Sequence, residues 1–246
     1  MSRKTRREKA FKEEKRKERN ITRADKVEEK FKAAPPLRPL TQLQAEYMYS
    51  IEDHTITVAT GYAGTSKTYI AARMAARMYK DGLISRIIIS RPPEPEGRSL
   101  GAFPGTKDEK MAPWVRPIMT TLGLDFSPSA LEYMTKVGEL YLLPLEVIKG
   151  ESMDDTFYVI DEAEDCDWKT LKNIITRPGR GSKIVLAGDI TQTALKNSGL
   201  GKLVDCLDRS ERLSRVISHI DFNEYDDIVR SDSVKEIIIA LDELGL

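Results

Sequence analysis

Residues 61–68 read GYAGTSKT and lie between an apolar run and a stretch with helical periodicity. Glycines at Gly61 and Gly64 allow successive backbone N–H groups to turn inward, where they and the N-terminus of the following helix form an anion-binding nest. Lys67 would then reach the outer phosphates of a nucleotide, and the Thr68 hydroxyl would ligate magnesium. The segment therefore predicts a site for ATP and Mg²⁺. Eight residues are candidates for contact with the nucleotide: Gly61, Tyr62, Ala63, Gly64, Thr65, Ser66, Lys67 and Thr68.

One position of this loop departs from the common pattern. The usual form is G-x-x-x-x-G-K-S/T, and its sixth position is Ser66 here instead of glycine. A Cβ atom at that position crowds the phosphates, so the loop alone also fits an ordinary strand-to-helix turn with an exposed lysine. A second motif is needed to separate these two interpretations.

The segment TFYVIDEAE, residues 156–164, supplies that motif because an apolar strand ends in two consecutive carboxylates. Open parallel sheets bind their ligands beyond the carboxyl ends of the strands. Asp161 would hold magnesium, and Glu162 would orient and deprotonate the attacking water. The alternative is a strand that runs into a polar turn, and a phosphate loop upstream makes that alternative weaker.

A third apolar run ends in polar groups at residues 182–192, SKIVLAGDITQ. Asp189 and Gln192 would lie at the same edge of the sheet, where Gln192 would sense the outer phosphate. Asp189 could equally cap the helix that follows it.

The elements that must position these residues alternate between strand and helix. Strands are predicted at 55–60, 86–90, 140–143, 156–160, 183–187 and 216–222, and helices most clearly at 67–80, 168–175 and 234–244. This alternation predicts an α/β fold with a mainly parallel, doubly wound sheet, helices on both faces and the nucleotide at the carboxyl edge.

Composition limits the class of protein. With 246 residues and 40% hydrophobic content, the chain can form one full α/β domain plus appendages. Its two cysteines, Cys166 and Cys206, form neither a disulfide framework nor a metal quartet, which favours a reducing compartment. We find no apolar run near 18 residues and no export leader, so we expect a cytoplasmic protein without a membrane partner.

The net charge of zero hides an asymmetry between the N-terminal arm and the rest of the chain. Residues 1–32 carry 14 Lys and Arg against 7 Asp and Glu, which leaves an equal negative excess on the remainder. We assign residues 1–34 to a basic arm, either helical or disordered, and residues 35–246 to the nucleotide-binding domain. The arm either remains solvated or contacts nucleic-acid phosphates.

The segment from Ser90 to Pro117 is rich in proline and glycine, which predicts that no continuous element crosses it. It also carries several cations and one tryptophan: Arg91, Arg98, Lys107, Lys110, Trp114 and Arg116. An aromatic residue among cations is typical of surfaces that bind single-stranded nucleic acid. A rigid surface loop with Trp114 anchored in the core explains the same residues.

Five segments, in order, carry a resemblance to the PhoH family, whose ATPase domain is similar to the first motor domain of superfamily 1 helicases. The segments are GYAGTSKT, ISRPPEPEGRSLGAFPGTKDEKMAPWVRPI, FYVIDEAE, TRPGRGSKIVLAGDITQ and DIVRSDSVKEII. They cover roughly residues 37–243. The resemblance implies a RecA-like P-loop NTPase domain that hydrolyses ATP and binds RNA or single-stranded DNA.

The resemblance also implies roles for residues outside the three motifs. Gln44 and Tyr47 would contact adenine, although the sequence alone predicts only an amphipathic helix with Tyr47 on its apolar face. Because the chain has a single motor lobe, a catalytic arginine would come from a neighbouring subunit of a ring, most simply a hexamer. Arg177 and Arg230 are the candidates, and an ordinary surface ion pair is the alternative for each.

Two other functions are compatible with the same loop. Ser66 motivates a nucleotide-gated RNA-binding or scaffolding protein with little hydrolysis, although an intact Glu162 argues against it. A small-molecule kinase is disfavoured, because the paired carboxylates and the GDITQ segment resemble helicase-like enzymes.

Overall fold

The computed structural model describes residues 31, 34–92, 107–143, 145, 153–193, 195 and 197–244, with the backbone alone for 107–114. The strands are β1 (Ile56–Gly61), β2 (Arg86–Ser90), β3 (Leu140–Leu142), β4 (Thr156–Ile160), β5 (Lys183–Ala187) and β6 (Ile217–Phe222). The helices are α1 (Gln42–Asp53), α2 (Lys67–Lys80), α3 (Lys107–Asp125), α4 (Pro128–Val137), α5 (Trp168–Ile175), α6 (Gly199–Arg209), α7 (Glu211–Ser214) and α8 (Asp232–Glu243). Residues 1–30 of the predicted arm lie outside the described residues.

The six strands form one sheet in the order β3-β2-β4-β5-β1-β6, and every neighbouring pair is parallel. Strand β1 lies between β5 and β6, so the loop that follows β1 emerges beside the ends of both strands. The predicted strand bounds are confirmed to within one residue. Parallel strands buried on both faces are continuous apolar runs, which is why the sequence located them so closely.

Helices cover both faces of the sheet, as predicted. Along β4 the side chains alternate, so that Phe157 and Val159 pack into one core while Tyr158 and Ile160 pack into the other. The first core includes α1 to α4, and the second includes α5 and α6. The predicted doubly wound α/β architecture is therefore confirmed.

Several helix ends are fixed by polar side chains or by glycine. Thr41, Ser127 and Asp167 each accept a hydrogen bond from a backbone N–H of the first turn of α1, α4 and α5, respectively. Helix α4 ends at Gly138, whose φ of 73° closes the helix in the left-handed conformation. These caps set the directions in which the chain enters and leaves the sheet.

Helix α3 corrects one prediction. It begins at Lys107 and continues through Pro113 and Pro117, inside the segment that we expected to be irregular. Its residues Val115, Ile118 and Leu122 are buried in the first core, so tertiary packing overrides the cost of the two prolines. The cations and tryptophan predicted at Arg98, Lys107, Lys110 and Trp114 lie outside the described side chains.

Helix α8 is a long helix, yet none of its residues is buried. Val234, Ile237 and Leu241 are 40%, 58% and 45% exposed and repeat at helical spacing along one face. Helix α8 is attached to the rest of the domain through Asp242, which accepts hydrogen bonds from Tyr62 and Tyr225. No helix among the described residues has both the length and the apolar character needed to cross a membrane.

Candidate functional site

The carboxyl ends of the central strands are joined by backbone hydrogen bonds. The Asp161 N–H donates to the Ser90 carbonyl at 3.0 Å, and the Gly188 N–H donates to the Ala59 carbonyl at 3.0 Å. These bonds bring the ends of β2 and β4 together, and likewise the ends of β5 and β1. The three polar segments identified in the sequence therefore meet at one edge of the sheet.

A cavity of about 470 Å³ opens at this edge. Loop residues 63–68 form one side of it, and α3 contributes Pro117 and Thr121 to another. Its charged and amide side chains, apart from the loop lysine, are Arg91, Asp161, Glu162, Asp189, Gln192 and Arg230. The volume lies within the range of small-molecule sites, roughly 300–1,000 Å³.

The loop between β1 and α2 has the conformation that an anion-binding nest requires. Gly61, Gly64 and Ser66 all have positive φ, at 111°, 86° and 70°. A Cβ at Gly61 would overlap the Phe222 carbonyl on β6, so only glycine fits there. Ser66 adopts a left-handed conformation that a side chain disfavours, and its hydroxyl makes no cap to the helix. Ser66 therefore adds backbone strain to a loop that has the nest conformation.

Lys67 points back into its own loop. Its Nζ donates to the carbonyl of Gly61 at 2.6 Å, to the carbonyl of Tyr62 at 2.7 Å and to Thr65 Oγ1 at 3.3 Å. Burial lowers the pKa of Lys67, and nearby carboxylates, foremost Asp189, oppose this shift. A partly desolvated ammonium without a directly paired carboxylate favours the approach of an anion.

Thr68 and Asp161 face each other across the cavity floor. The Thr68 hydroxyl donates to Asp161 Oδ1 at 2.5 Å. Burial raises the pKa of Asp161, and the hydrogen bond from Thr68 partly opposes that shift. Among the described residues there is no cluster of three metal-ligating side chains. A hydroxyl and a carboxylate nevertheless suit Mg²⁺, which binds to few protein oxygens and completes its shell with phosphates and water.

Glu162 follows Asp161 in a left-handed conformation, with a φ of 51°. Its Oε1 lies 3.0 Å from Arg91 Nη2, across the junction of β4 and β2. Glu164 lies beneath it and is 3% exposed. Burial, and next a hydrogen bond with Glu162, raise the pKa of the Glu164 carboxyl to about 9. The carboxylate of Glu162 thus lies between the guanidinium of Arg91 and the buried carboxyl group of Glu164.

Asp189 and Gln192 both line the cavity and are hydrogen-bonded to each other. Asp189 Oδ1 accepts from the Thr191 N–H at 3.0 Å and so caps the short 3₁₀ turn Ile190–Gln192. Its Oδ2 accepts from Gln192 Nε2 at 2.8 Å, which orients that amide along the cavity wall. Both interpretations of Asp189 are therefore compatible with its position, because capping and cavity lining occur at once.

Gln44 and Tyr47 lie behind the loop and outside the cavity lining. Gln44 is 2% exposed, its Nε2 donates to the Thr65 carbonyl at 3.2 Å, and its Oε1 accepts from the Leu40 N–H at 2.8 Å. The Tyr47 hydroxyl donates to the Lys67 carbonyl at 3.2 Å, and burial raises its pKa. Both side chains brace the loop from α1, and contact with adenine stays a prediction.

The two candidate arginines lie at opposite edges of the sheet. Arg230 lines the cavity, and the next residue toward the N-terminus, Val229, donates its N–H to the Gly64 carbonyl at 3.1 Å. Arg177 follows α5, and its neighbours Thr176 and Pro178 line a separate cavity at the amino ends of β1 and β6. Arg230 therefore reaches the site of its own chain, whereas Arg177 could serve only another subunit's site.

Sequence reasoning missed two features of this site, the pairing of Arg91 with Glu162 and the burial of Glu164. Arg91 was identified only as a cation in an irregular segment. Its position directly after β2 was visible in the sequence, but the adjacency of β2 and β4 was not. Glu164 lies three residues after Asp161 in a short 3₁₀ turn, and no sequence pattern distinguishes it from an exposed carboxylate.

A parallel sheet whose first strand leads through a phosphate-binding loop into a helix defines the P-loop nucleoside-triphosphatase fold. The family model for PhoH-like protein matches residues 36–242. The chain belongs to this family.

Known relatives support the assignment along most of the chain. The PhoH-like protein of Mycobacterium tuberculosis (strain ATCC 25618 / H37Rv) is 35% identical over 207 residues, which are 83% of this chain and 57% of that protein. The PhoH-like protein of Bacillus subtilis (strain 168) is 33% identical over 210 residues, 84% of this chain and 64% of that protein. The chain thus spans little more than half the length of the curated relatives it matches.

Among solved structures, the large terminase from a thermophilic bacteriophage is similar, with a TM-score of 0.50 and 14% sequence identity. The likeness covers 81% of this chain and 50% of the terminase chain. At this identity it supports the fold alone.

Proposed function

We propose that this domain binds ATP with magnesium, hydrolyses it, and couples hydrolysis to the binding or remodelling of RNA or single-stranded DNA. The observation that carries the ATPase proposal is the convergence of Lys67, Asp161 and Gln192 on one cavity at the carboxyl edge of the sheet. Family membership supports it, because the matched range, residues 36–242, contains every residue that lines this cavity.

Each residue has a defined part in the proposed reaction. Lys67 would exchange its loop carbonyls for the outer phosphates, and Thr68 and Asp161 would hold the magnesium ion. When bound, magnesium would neutralise charge on those phosphates and polarise them. Glu162 would orient the attacking water and accept its proton, and Gln192 would sense the outer phosphate. Arg230 reaches its own loop and would stabilise charge there.

Coupling to a polymer is the second part of the proposal. Arg91 lines the cavity, and the exposed Arg116 lies on α3, whose Pro117 also lines it, so cations continue from the site toward the protein surface. A cationic surface of this kind attracts a phosphodiester backbone without regard to base sequence. The choice of polymer, RNA or single-stranded DNA, follows from the resemblance of this family to superfamily 1 helicases.

Self-assembly, most simply into a hexamer, is the third part. The exposed apolar face of α8 supports it, because a helix whose apolar residues stay exposed in its own chain gains stability when a second copy covers them. Arg177 would then act on a neighbour's site. Light scattering tests this part: a monomer whose specific hydrolysis rate is independent of protein concentration would contradict it.

The division of labour within the site is tested by two substitutions. Glu162→Gln should leave ATP affinity intact and lower turnover by roughly 10²- to 10⁴-fold, because only proton transfer is lost. Lys67→Ala should abolish nucleotide binding. Calorimetric titration with ATP and a steady-state phosphate-release assay measure the two quantities.

Matched controls for these variants are Glu132→Gln on α4 and Lys169→Ala on α5, both exposed and outside the cavity lining. Neither control should change binding or turnover. An equal loss of ATP binding in Glu162→Gln and Lys67→Ala would show that the assigned roles are wrong.

Polymer coupling is tested by measuring ATP turnover with and without oligouridylate, and with and without single-stranded oligodeoxythymidylate. Stimulation by either polymer identifies the preferred nucleic acid. Hydrolysis that neither polymer changes, together with no detectable binding of either, would remove this part of the proposal.

A further inference from the structure

The ion pair between Arg91 and Glu162 joins the ends of two neighbouring strands. Ser90 and Ile160 are register partners at the ends of β2 and β4, so the residues that follow them leave the sheet side by side. The Nη2–Oε1 distance is 3.0 Å, and the two side chains are 27% and 39% exposed. Both line the cavity that contains the phosphate loop. The pair is therefore part of the candidate site itself.

This contact engages the carboxylate that the proposed reaction needs. A general base must present a free carboxylate oxygen to the attacking water, within hydrogen-bond distance. In the structure, Oε1 of Glu162 lies 3.0 Å from the Arg91 guanidinium, so this oxygen is already engaged by a cation. Glu162 also sits on a left-handed backbone, a conformation held by its surroundings. The orientation of the Glu162 side chain therefore depends on the residues around it, above all on Arg91.

Arg91 is placed to exchange partners. Lys67 and Arg230 both lie against the loop that follows β1, where the triphosphate would bind. Arg91 follows β2, which β4 and β5 separate from β1. Within the part of the chain that the structure describes, Glu162 is the carboxylate that pairs with it. A guanidinium has five N–H donors and binds phosphate oxygens in the same fork geometry as carboxylates.

We propose that Arg91 is a positioning residue that restrains Glu162 at rest, and that a phosphodiester group of a bound single-stranded nucleic acid releases Glu162 by competing for the Arg91 guanidinium. This inference rests on the proposed ATPase function and adds the residue that couples the polymer to hydrolysis. No group is transferred in this step; one ion pair is exchanged for another. The site hydrolyses ATP slowly without the polymer and faster with it.

The test compares ATP turnover of the full chain and its Arg91→Ala variant, each with and without oligouridylate and oligodeoxythymidylate. The variant should hydrolyse ATP roughly two- to fivefold faster than the wild type without polymer, the range expected from a partly exposed ion pair. Neither polymer should stimulate the variant further. Arg91→Lys should retain part of the restraint and part of the stimulation, since an ammonium keeps the charge but loses the fork geometry.

Two further variants separate positioning from a purely structural effect. In a Glu162→Gln background, Arg91→Ala should change turnover by less than it does alone, because the restrained group is already missing. Lys136→Ala removes an exposed cation on α4 outside the cavity lining, and it should leave the rate without polymer unchanged. Thermal unfolding of each variant checks that the fold is intact.

The outcomes are distinguishable. A wild-type chain that neither binds nor hydrolyses ATP removes the proposed function and this inference with it. An active wild type with an unchanged or lower rate in Arg91→Ala without polymer overturns the inference alone. So does polymer stimulation that persists in Arg91→Ala, because the releasing ligand would then act elsewhere.

Discussion

Two regions of this domain hold charged side chains away from solvent, and the partners of these side chains differ between the two regions. Between α2 and the end of α3, Asp125 forms ion pairs with Arg73 Nε at 2.7 Å and with Lys80 Nζ at 2.8 Å. Arg73 donates in addition to the Tyr69 hydroxyl and to the Pro35 carbonyl. In this ion-pair cluster (Arg73, Lys80 and Asp125), each charged side chain contacts an oppositely charged partner inside the protein.

At the cavity, Lys67 and Asp161 are half-buried, and each is hydrogen-bonded to neutral groups. Lys67 donates to carbonyl oxygens and a hydroxyl instead of a carboxylate, and Asp161 accepts from the neutral Thr68 hydroxyl. Burial accordingly lowers the pKa of Lys67 and raises the pKa of Asp161. Charges matched internally stabilise the fold, whereas charges that the protein leaves partly unmatched mark where a charged ligand belongs. The same substitution should therefore have opposite effects on stability in the two regions.

The largest effect is expected on activity, from Asp161→Asn. Loss of the carboxylate should lower magnesium-dependent ATP turnover by roughly 10²- to 10⁴-fold, because the metal loses its ionised protein ligand. Without nucleotide the variant should be at least as stable as the wild type, since burial raises the pKa of Asp161 and thus disfavours its ionised form. Phosphate release and thermal unfolding without ligand measure the two effects. A clearly lower midpoint of thermal unfolding in the variant would show that Asp161 stabilises the fold, as Asp125 does.

The next effect is on stability, from Asp125→Asn. Its carboxylate is 5% exposed, and removing one partner of a buried ion pair costs about 3–5 kcal/mol. The reason is that Arg73, which is also 5% exposed, would stay buried without a carboxylate partner. Chemical unfolding measures this loss, with Asp205→Asn on the exposed side of α6 as the control. Nucleotide affinity of the folded fraction should not change. A loss below about 1 kcal/mol would mean that the cluster is merely a surface network.

The sequence predicted the strands well and the contacts between their ends poorly. Apolar runs such as 156–160 are local signals, and each ended in a polar residue at the edge where ligands bind. The pairing of Arg91 with Glu162 depends on β2 lying beside β4, and these strands are 65 or more residues apart in sequence. Strand order arises from packing over the whole domain, so no short pattern encodes it.

The helices were also harder to predict from the sequence than the strands. The glycine- and proline-based prediction failed at α3, because burial of Val115 and Ile118 outweighs the local cost of Pro117. Gln44 was correctly placed on a helix, but its direction depends on where that helix docks. The sequence therefore predicts which residues belong to the site, and tertiary contacts decide what each one touches.

A third prediction concerns the pH dependence of stability and tests Glu164, a buried carboxyl group beside the cavity residue Glu162. Its folded-state pKa, raised to about 9, lies above the ordinary value of 4.5, so the folded protein holds a proton that the unfolded chain releases. Stability should therefore fall as pH rises through this window, by at most about 1.4 kcal/mol per pH unit for one proton. Glu164→Gln keeps a neutral hydrogen-bonding group there and should flatten the decline.

Chemical unfolding at pH 7 and pH 9 measures the difference between the Glu164→Gln variant and the wild type. Glu132→Gln, exposed on α4, controls for a general effect of losing one carboxylate. Parallel pH dependence in wild type and Glu164→Gln would indicate that the Glu164 carboxyl is ionised in the fold.

The smallest effect is expected at Ser66, where the comparison concerns strain instead of charge. Ser66 has a φ of 70° and makes no cap, so glycine should relieve about 1 kcal/mol of backbone strain and raise stability accordingly. Ser66→Ala keeps the Cβ and removes only the hydroxyl, and it should give no such gain. If Ser66→Gly also raises ATP turnover strongly while Ser66→Ala does not, the serine weakens a natural ATPase, and slow hydrolysis with nucleotide-gated binding becomes the better description of the chain. If turnover is unchanged, the loop accommodates Ser66 at the cost of strain alone, because the path of its N–H groups already suits a triphosphate.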